Sequence, residues 1–173
     1  RIMDLPKESF QERRKKENSD WIKKMLGEGD SSEITTGRYA REAGSFNDIS
    51  SEQALVQGRI KFGVEYIISL ADNVQLLGEQ KLIEKPFTDA EKEKLRSIYR
   101  KFNTKDYLGV KLIENRTKHD IVAANAWLVI RAQLLGLDAN LMRGIVHFGR
   151  TSEDVNTNVM GNLYMKALGK WTG

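Results

Sequence analysis

Apolar residues recur at roughly helical spacing through most of this chain, and its only two prolines, Pro6 and Pro86, interrupt none of those runs. A proline inside a helix removes a hydrogen bond and clashes with the preceding turn, so segments without one can run long. No hairpin dipeptide separates two alternating apolar runs, and no internal repeat occurs. The pattern predicts an all-α fold.

Ser9 to Leu26 is a charged stretch with Phe10, Trp21, Ile22, Met25 and Leu26 as its apolar residues, closed by Gly27 and Gly29. Its charge run reads as a solvated helix face, with a binding arm as the alternative. Ser31 to Asp48 reads as a loop with short turns. Ser50 and Ser51 then offer an N-cap with Glu52 in the first turn, and Leu55, Ile60, Val64, Ile67, Ile68 and Leu70 keep helical spacing as far as Leu77, before Gly78. Thr88-Asp89-Ala90-Glu91 is a capping box, opening a helix to about Phe102. Lys105 to Arg116 is less regular. The strongest helix is Lys118 to Leu135, expected to bury Ile121, Val122, Ala124, Trp127, Leu128 and Leu135, with Gly136 at the left-handed position past its end. A final helix is expected from Thr151–Asp154 to about Leu168.

Composition removes several classes of function. The 173 residues, 40% hydrophobic and 30% charged, suffice for one globular domain with a core. No apolar run approaches a bilayer span, and Arg1 to Phe10 contains no extended apolar stretch, so neither a membrane segment nor a signal peptide is expected. An initial Arg in place of Met implies upstream residues that are processed or missing. There is no cysteine, hence no disulfide and no thiolate chemistry, which fits a cytoplasmic protein. The net charge of +4 suits a phosphate-bearing small molecule but is too mild to argue for nucleic acid, and zinc-finger spacing is missing. His119 and His147 are the only histidines and stand at no metal-ligand spacing, so a metal enzyme is not expected.

Three polar clusters could carry chemistry. Thr117-Lys118-His119-Asp120 opens the strongest helix, where free N–H groups favour an anion. Taken by itself it is better explained by ordinary capping: Thr117 as N-cap, Asp120 complementing the helix dipole, His119 facing solvent. Arg150-Thr151-Ser152-Glu153-Asp154 repeats the arrangement, as a cap or as hydroxyls and amides offered to a carboxylate. His147, between Val146 and Phe148, reads as a packed structural histidine. Gly37-Arg38-Tyr39 could grip a phosphate through the guanidinium, or be a surface turn.

In this order the clusters resemble the adenylosuccinate lyases of the fumarase and aspartase superfamily. The strings are Glu114-Asn-Arg-Thr-Lys-His-Asp120, with a Thr-x-His-Asp pattern, and Val146-His-Phe-Gly-Arg-Thr-Ser-Glu-Asp-Val-Asn156, with Thr-Ser-x-Asp. Gly37-Arg38-Tyr39 and the helix around Ser50-Ser51-Glu52 and Arg59 resemble the opening of the bacterial type. The resemblance runs from about Ile34 to Leu168. Fumarases and aspartases carry Gly-Ser-Gly-Thr in the second region, and argininosuccinate lyases Gly-Arg-Ser-Arg-Asn-Asp, so the siblings fit less well.

The resemblance implies a charged extension over 1–32, an N-terminal helical domain over 33–145 and, over 146–173, the start of a long central helical bundle, here truncated. It implies β-elimination of fumarate from adenylosuccinate, giving AMP, and from the succinylated aminoimidazole carboxamide ribotide, with no cofactor and no metal, by a cytoplasmic homotetramer. It assigns Arg38 and Tyr39 to the nucleotide phosphate, His119 to substrate positioning with Lys118 and Asp120 beside it, and Thr151 and Ser152 to the succinyl or fumarate carboxylate. The family's general-acid histidine and its base, a serine on a Ser-x-x-Met-Pro-x-Lys loop, have no counterpart before Gly173, so this segment alone is expected to be inactive. Arg150 stands where the family usually has a small residue. The competing expectation is a non-enzymatic helical module that retains a nucleotide-phosphate site.

Overall fold

The structure is a computed structural model, and it describes residues 19–20, 47–73, 83 and 86–172, with side chains through Lys170. Arg38, Tyr39, Gly78 and most of the expected Ser9–Leu26 helix and Ser31–Asp48 loop lie outside the described residues. Within them every regular element is helical: α1 (Asn47–Ser50), α2 (Glu52–Asp72), α3 (Asp89–Arg100), α4 (Thr104–Thr117), α5 (Asp120–Leu134), α6 (Ala139–Ile145) and α7 (Ser152–Thr172).

α2 is the axis of the fold. Ser51 caps it, its hydroxyl accepting from Ala54 N–H at 3.2 Å. Ile60, Val64, Ile67, Ile68 and Ala71 then face the core at helical spacing. The helix ends at Asp72, short of the expected Leu77. Asn73 closes it, its side chain donating to Ser69 O at 2.8 Å while its N–H reaches the Ser69 and Leu70 carbonyls. α3 begins with the expected Thr88–Glu91 box and ends at Arg100, and it is tied to α2 by Arg96, which donates twice to Glu65 at 3.1 Å.

The segment expected to be irregular, Lys105 to Arg116, is helix α4. Asn103 and Asp106 form a capping box at its start. Only Tyr107 and Val110 are buried in it, so its apolar stripe is too thin to stand out in the sequence. Polar contacts fasten it instead: Tyr107 Oη donates to Glu52 at 2.6 Å, and Lys111 Nζ reaches Glu52 at 2.7 Å and Glu114 at 2.9 Å.

α5 buries Ile121, Ala123, Ala124, Trp127, Leu128, Val129 and Ala132. Val122, expected inside, is exposed, because Ala123 takes the inward position beside it. Leu135 is only partly buried, packed at the core edge. Gly136, φ 85°, occupies the expected left-handed position. Trp127 meets Phe102 edge-on at 5.4 Å. α6, which no periodic run announced, is capped by Asp138 and buries Met142 and Ile145.

α7 lies along α2. Val155 and Val159 form a small second core with Ile121, flanked by Leu55, Phe62 and Leu163. Val155 and Val159 are both buried within the chain, while Tyr164 and Met165 are exposed. Gly58 permits the crossing, since a Cβ there would stand 2.6 Å from Val159 Cγ1.

Candidate functional site

Two helix starts and one loop converge on α2. Lys118 closes α4 in the left-handed region, φ 53°, with its N–H on Glu114 O at 2.7 Å. That turn delivers His119, not Thr117, as the N-cap of α5. His119 Nδ1 accepts from Val122 N–H at 3.5 Å, and Thr117 Oγ1 donates to the His119 carbonyl at 3.1 Å. Asp120 Oδ1 accepts from Ile121 N–H at 2.7 Å and also stands 3.4 Å from His119 Nδ1. The first-turn amides that could hold an anion are thus partly occupied by this segment's own side chains. Lys118 extends away, its ammonium donating to Asn115 Oδ1 at 3.0 Å.

Arg59 ties this cap to the next. From α2, its Nη2 stands 2.7 Å from Asp120 Oδ2, while Nε and Nη2 donate to Asn156 Oδ1 at 3.3 and 3.1 Å. A planar fork suits this double engagement, which an ammonium could not reproduce. The α5 cap and the first turn of α7 are thereby fixed to the same residue. At the start of α7, Thr151 N–H donates to Asp154 Oδ2 at 2.6 Å and Thr151 Oγ1 to the same oxygen at 3.0 Å. Those bonds, the backbone one foremost, hold the Asp154 carboxyl below the usual carboxylate range. Ser152, half-buried, opens the helix.

Between the two helix starts runs the loop of Val146 to Arg150. Gly149 turns it with φ 62°, and Tyr66 Oη donates to Phe148 O at 2.5 Å. Arg150 is buried beneath, its guanidinium carbon 4.8 Å from the Tyr66 ring centroid and 5.3 Å from that of Phe62. Its Nη2 donates to Asn125 Oδ1 at 3.2 Å and, closely, to Val146 O. Burial pushes this guanidinium down from its ordinary value. His147 is exposed, correcting the expectation of a packed histidine. The loop carries it outward to line a groove of about 480 Å³ with Val122, Asn125, Ala126, Ile130 and Arg143. Partial burial lowers its pKa, and the charges of Arg150 and His119 add to that.

The structure thus brings His119 and Asp120 together with the start of α7 through Arg59, and sets His147 close enough to feel His119. Asn125 carried no signal in the sequence; His147 could have been found from its place in the same string as Thr151 and Ser152. Among the described residues, no group of three His, Asp or Glu side chains is placed to hold a metal, and no helix is long and apolar enough to cross a membrane.

No family model matches the chain. Sequence relatives do. An adenylosuccinate lyase from Dictyostelium discoideum is 30% identical over 72% of this chain and 26% of its own length. Another from Buchnera aphidicola subsp. Acyrthosiphon pisum is 32% identical over 75% and 27%, and one from Vibrio cholerae serotype O1 is 29% identical over 69% and 25%. The chain spans about a quarter of the length of these curated relatives.

Proposed function

We propose that this chain, a sequence relative of the adenylosuccinate lyases, supplies the substrate-binding helix starts of an enzyme that eliminates fumarate from adenylosuccinate. The observation that carries the reading is Arg59, which joins Asp120 of the Thr-x-His-Asp segment to Asn156, just beyond the Thr-Ser-x-Asp segment. Two strings distant in sequence become one site, where the starts of α5 and α7 meet. Helix N-termini suit a substrate bearing phosphate and carboxylates.

In this reading a base removes a proton from the succinyl group, the electron pair moves toward the adjacent carbon and the C–N bond breaks, leaving AMP and fumarate. Negative charge develops on the succinyl carboxylate, where preorganised donors accelerate the reaction. Ser152 and the α7 first turn serve that carboxylate, with Thr151 fixing the turn through Asp154. His119 and Asp120, with Lys118, position the substrate; Arg38 and Tyr39 take the phosphate. In this reading residues 33–145 belong to the N-terminal helical domain and 146–173 to the start of the central bundle, with α7 packed on α2 and α5 through the small second core. The complete enzyme is a homotetramer in the cytoplasm, and acid and base come from polypeptide beyond this segment.

Fumarate release from adenylosuccinate, followed for the complete enzyme that carries this segment and for its Arg38→Ala and Ser152→Ala variants, tests the reading. Release that falls at least about tenfold in both variants, the loss of roughly 1.4 kcal/mol of transition-state stabilisation, supports it. Stabilisation by AMP without any release would favour the nucleotide-binding module, and neither effect would overturn both readings. At a hundredfold excess over Kd, AMP should add about 2.7 kcal/mol to unfolding.

A further inference from the structure

Arg150, Asn125 and His147 form a chain of contacts whose donor chemistry leaves little freedom. A guanidinium has only donors, so the Asn125 atom 3.2 Å from Arg150 Nη2 must be the carbonyl oxygen. The Asn125 amide nitrogen therefore faces His147 Nδ1, at 3.4 Å. An amide NH₂ also only donates, so Nδ1 must offer a lone pair and the ring proton must sit on Nε2. An imidazolium would set N–H against N–H.

We propose that Arg150 is a positioning residue that acts through Asn125 to hold His147 as a neutral imidazole with its Nε2–H available to a ligand in the groove. The buried end of the relay is rigid: Arg150 lies against Phe62 and Tyr66 and is also fastened to the Val146 carbonyl. The outer end is accessible, on the groove of Val122, Ala126 and Ile130. The charged and titratable groups facing the imidazole are Arg150 from the loop before α7, His119 from the cap of α5 and Arg143 from α6. None is a carboxylate, so all disfavour a second proton on the ring, and the lowered pKa agrees. A neutral Nε2–H donates to an oxygen acceptor without adding a charge; its use for the substrate rests on the lyase reading, whereas the tautomer does not.

Nitrogen-15 spectra of the imidazoles test the relay on the full chain, with His119→Gln used to assign the two histidines. The native protein should show His147 as a single Nε2–H tautomer titrating below the ordinary histidine range. Arg150→Met frees the Asn125 amide to turn, and should give exchanging tautomers and an upward shift. Asn125→Asp presents acceptors only and should invert the pattern, drawing a proton to Nδ1 and raising the pKa while the Arg150 contact persists. A native Nδ1–H tautomer, or an Asn125→Asp spectrum identical to the native one, would overturn the proposal. The native tautomer together with no fumarate release from the complete enzyme that carries this segment would remove the lyase reading and leave the relay standing.

Discussion

Arg59 makes three polar contacts with one side chain, to Asp120 once and to Asn156 twice, and only 10% of that side chain is exposed. Arg59→Met keeps much of the apolar stem but leaves Asp120 and Asn156 unserved. We expect a loss of about 1–3 kcal/mol, read from the urea midpoint, with helical circular dichroism retained. Thr151 behaves differently. Its hydroxyl is already engaged with Asp154, so Thr151→Ala should cost about 1 kcal/mol as a lost cap. Equal stability of Thr151→Ala and the native protein would show that the cap is idle. The identity of these cap residues was legible in the sequence; that Lys118 turns left-handed and passes the cap to His119 was not, since a non-glycine residue in that region is set by the chain on both sides.

Two glycines separate close packing from helix propensity. In α2, a Cβ on Gly58 would press on Val159 Cγ1, part of a stiff β-branched side chain, at 2.6 Å. Gly58→Ala should destabilise by about 1–3 kcal/mol by forcing α7 away from α2. In α7, Gly161 has nothing within 4 Å of such a carbon, so Gly161→Ala should stabilise by about 0.5–1 kcal/mol. Thermal unfolding of both variants checks the pair, and the same sign for both would contradict this packing. Elements with a broad apolar stripe, α2 and α5, were visible in the sequence. α4 and α6 were not, because α4 is fastened largely by Glu52, Tyr107 and Lys111, and α6 is too short to show a period.

The molecule as a whole should lose stability in acid. Arg96, with Tyr99, holds the Glu65 carboxyl below its ordinary value, and at Glu52 burial raises the pKa but hydrogen bonds from Lys111 and Tyr107 outweigh it. A carboxylate lowered in the fold stabilises fully above its unfolded pKa and ceases to do so as pH falls through the folded value. The urea midpoint should therefore fall as pH drops below the ordinary value of 4.5, and Glu52→Gln should flatten that slope. The lowered His147 acts with the same sign at higher pH, favouring the fold above its ordinary 6.5. Exposed Tyr164 and Met165 on α7, with Ile130 and Leu134 on α5, leave apolar surface outside the core. Sedimentation should show association with rising concentration, reduced in Met165→Glu; a strict monomer would argue against α7 as the start of a truncated bundle.

The sequence by itself determined the helical class, the Ser51 and Thr88 caps, the Gly136 terminus and the family resemblance, because each is written in neighbouring residues or in helical spacing. Tertiary structure decided the rest. Arg59 could be placed between Asp120 and Asn156 only once α2 crossed the starts of α5 and α7, since no local pattern couples residues so distant in the chain. The same crossing put Val155 and Val159 inside. His147 was set facing outward by Gly149 and Arg150, whose positive φ and buried charge turn a loop that hydrophobic neighbours alone would have read as core.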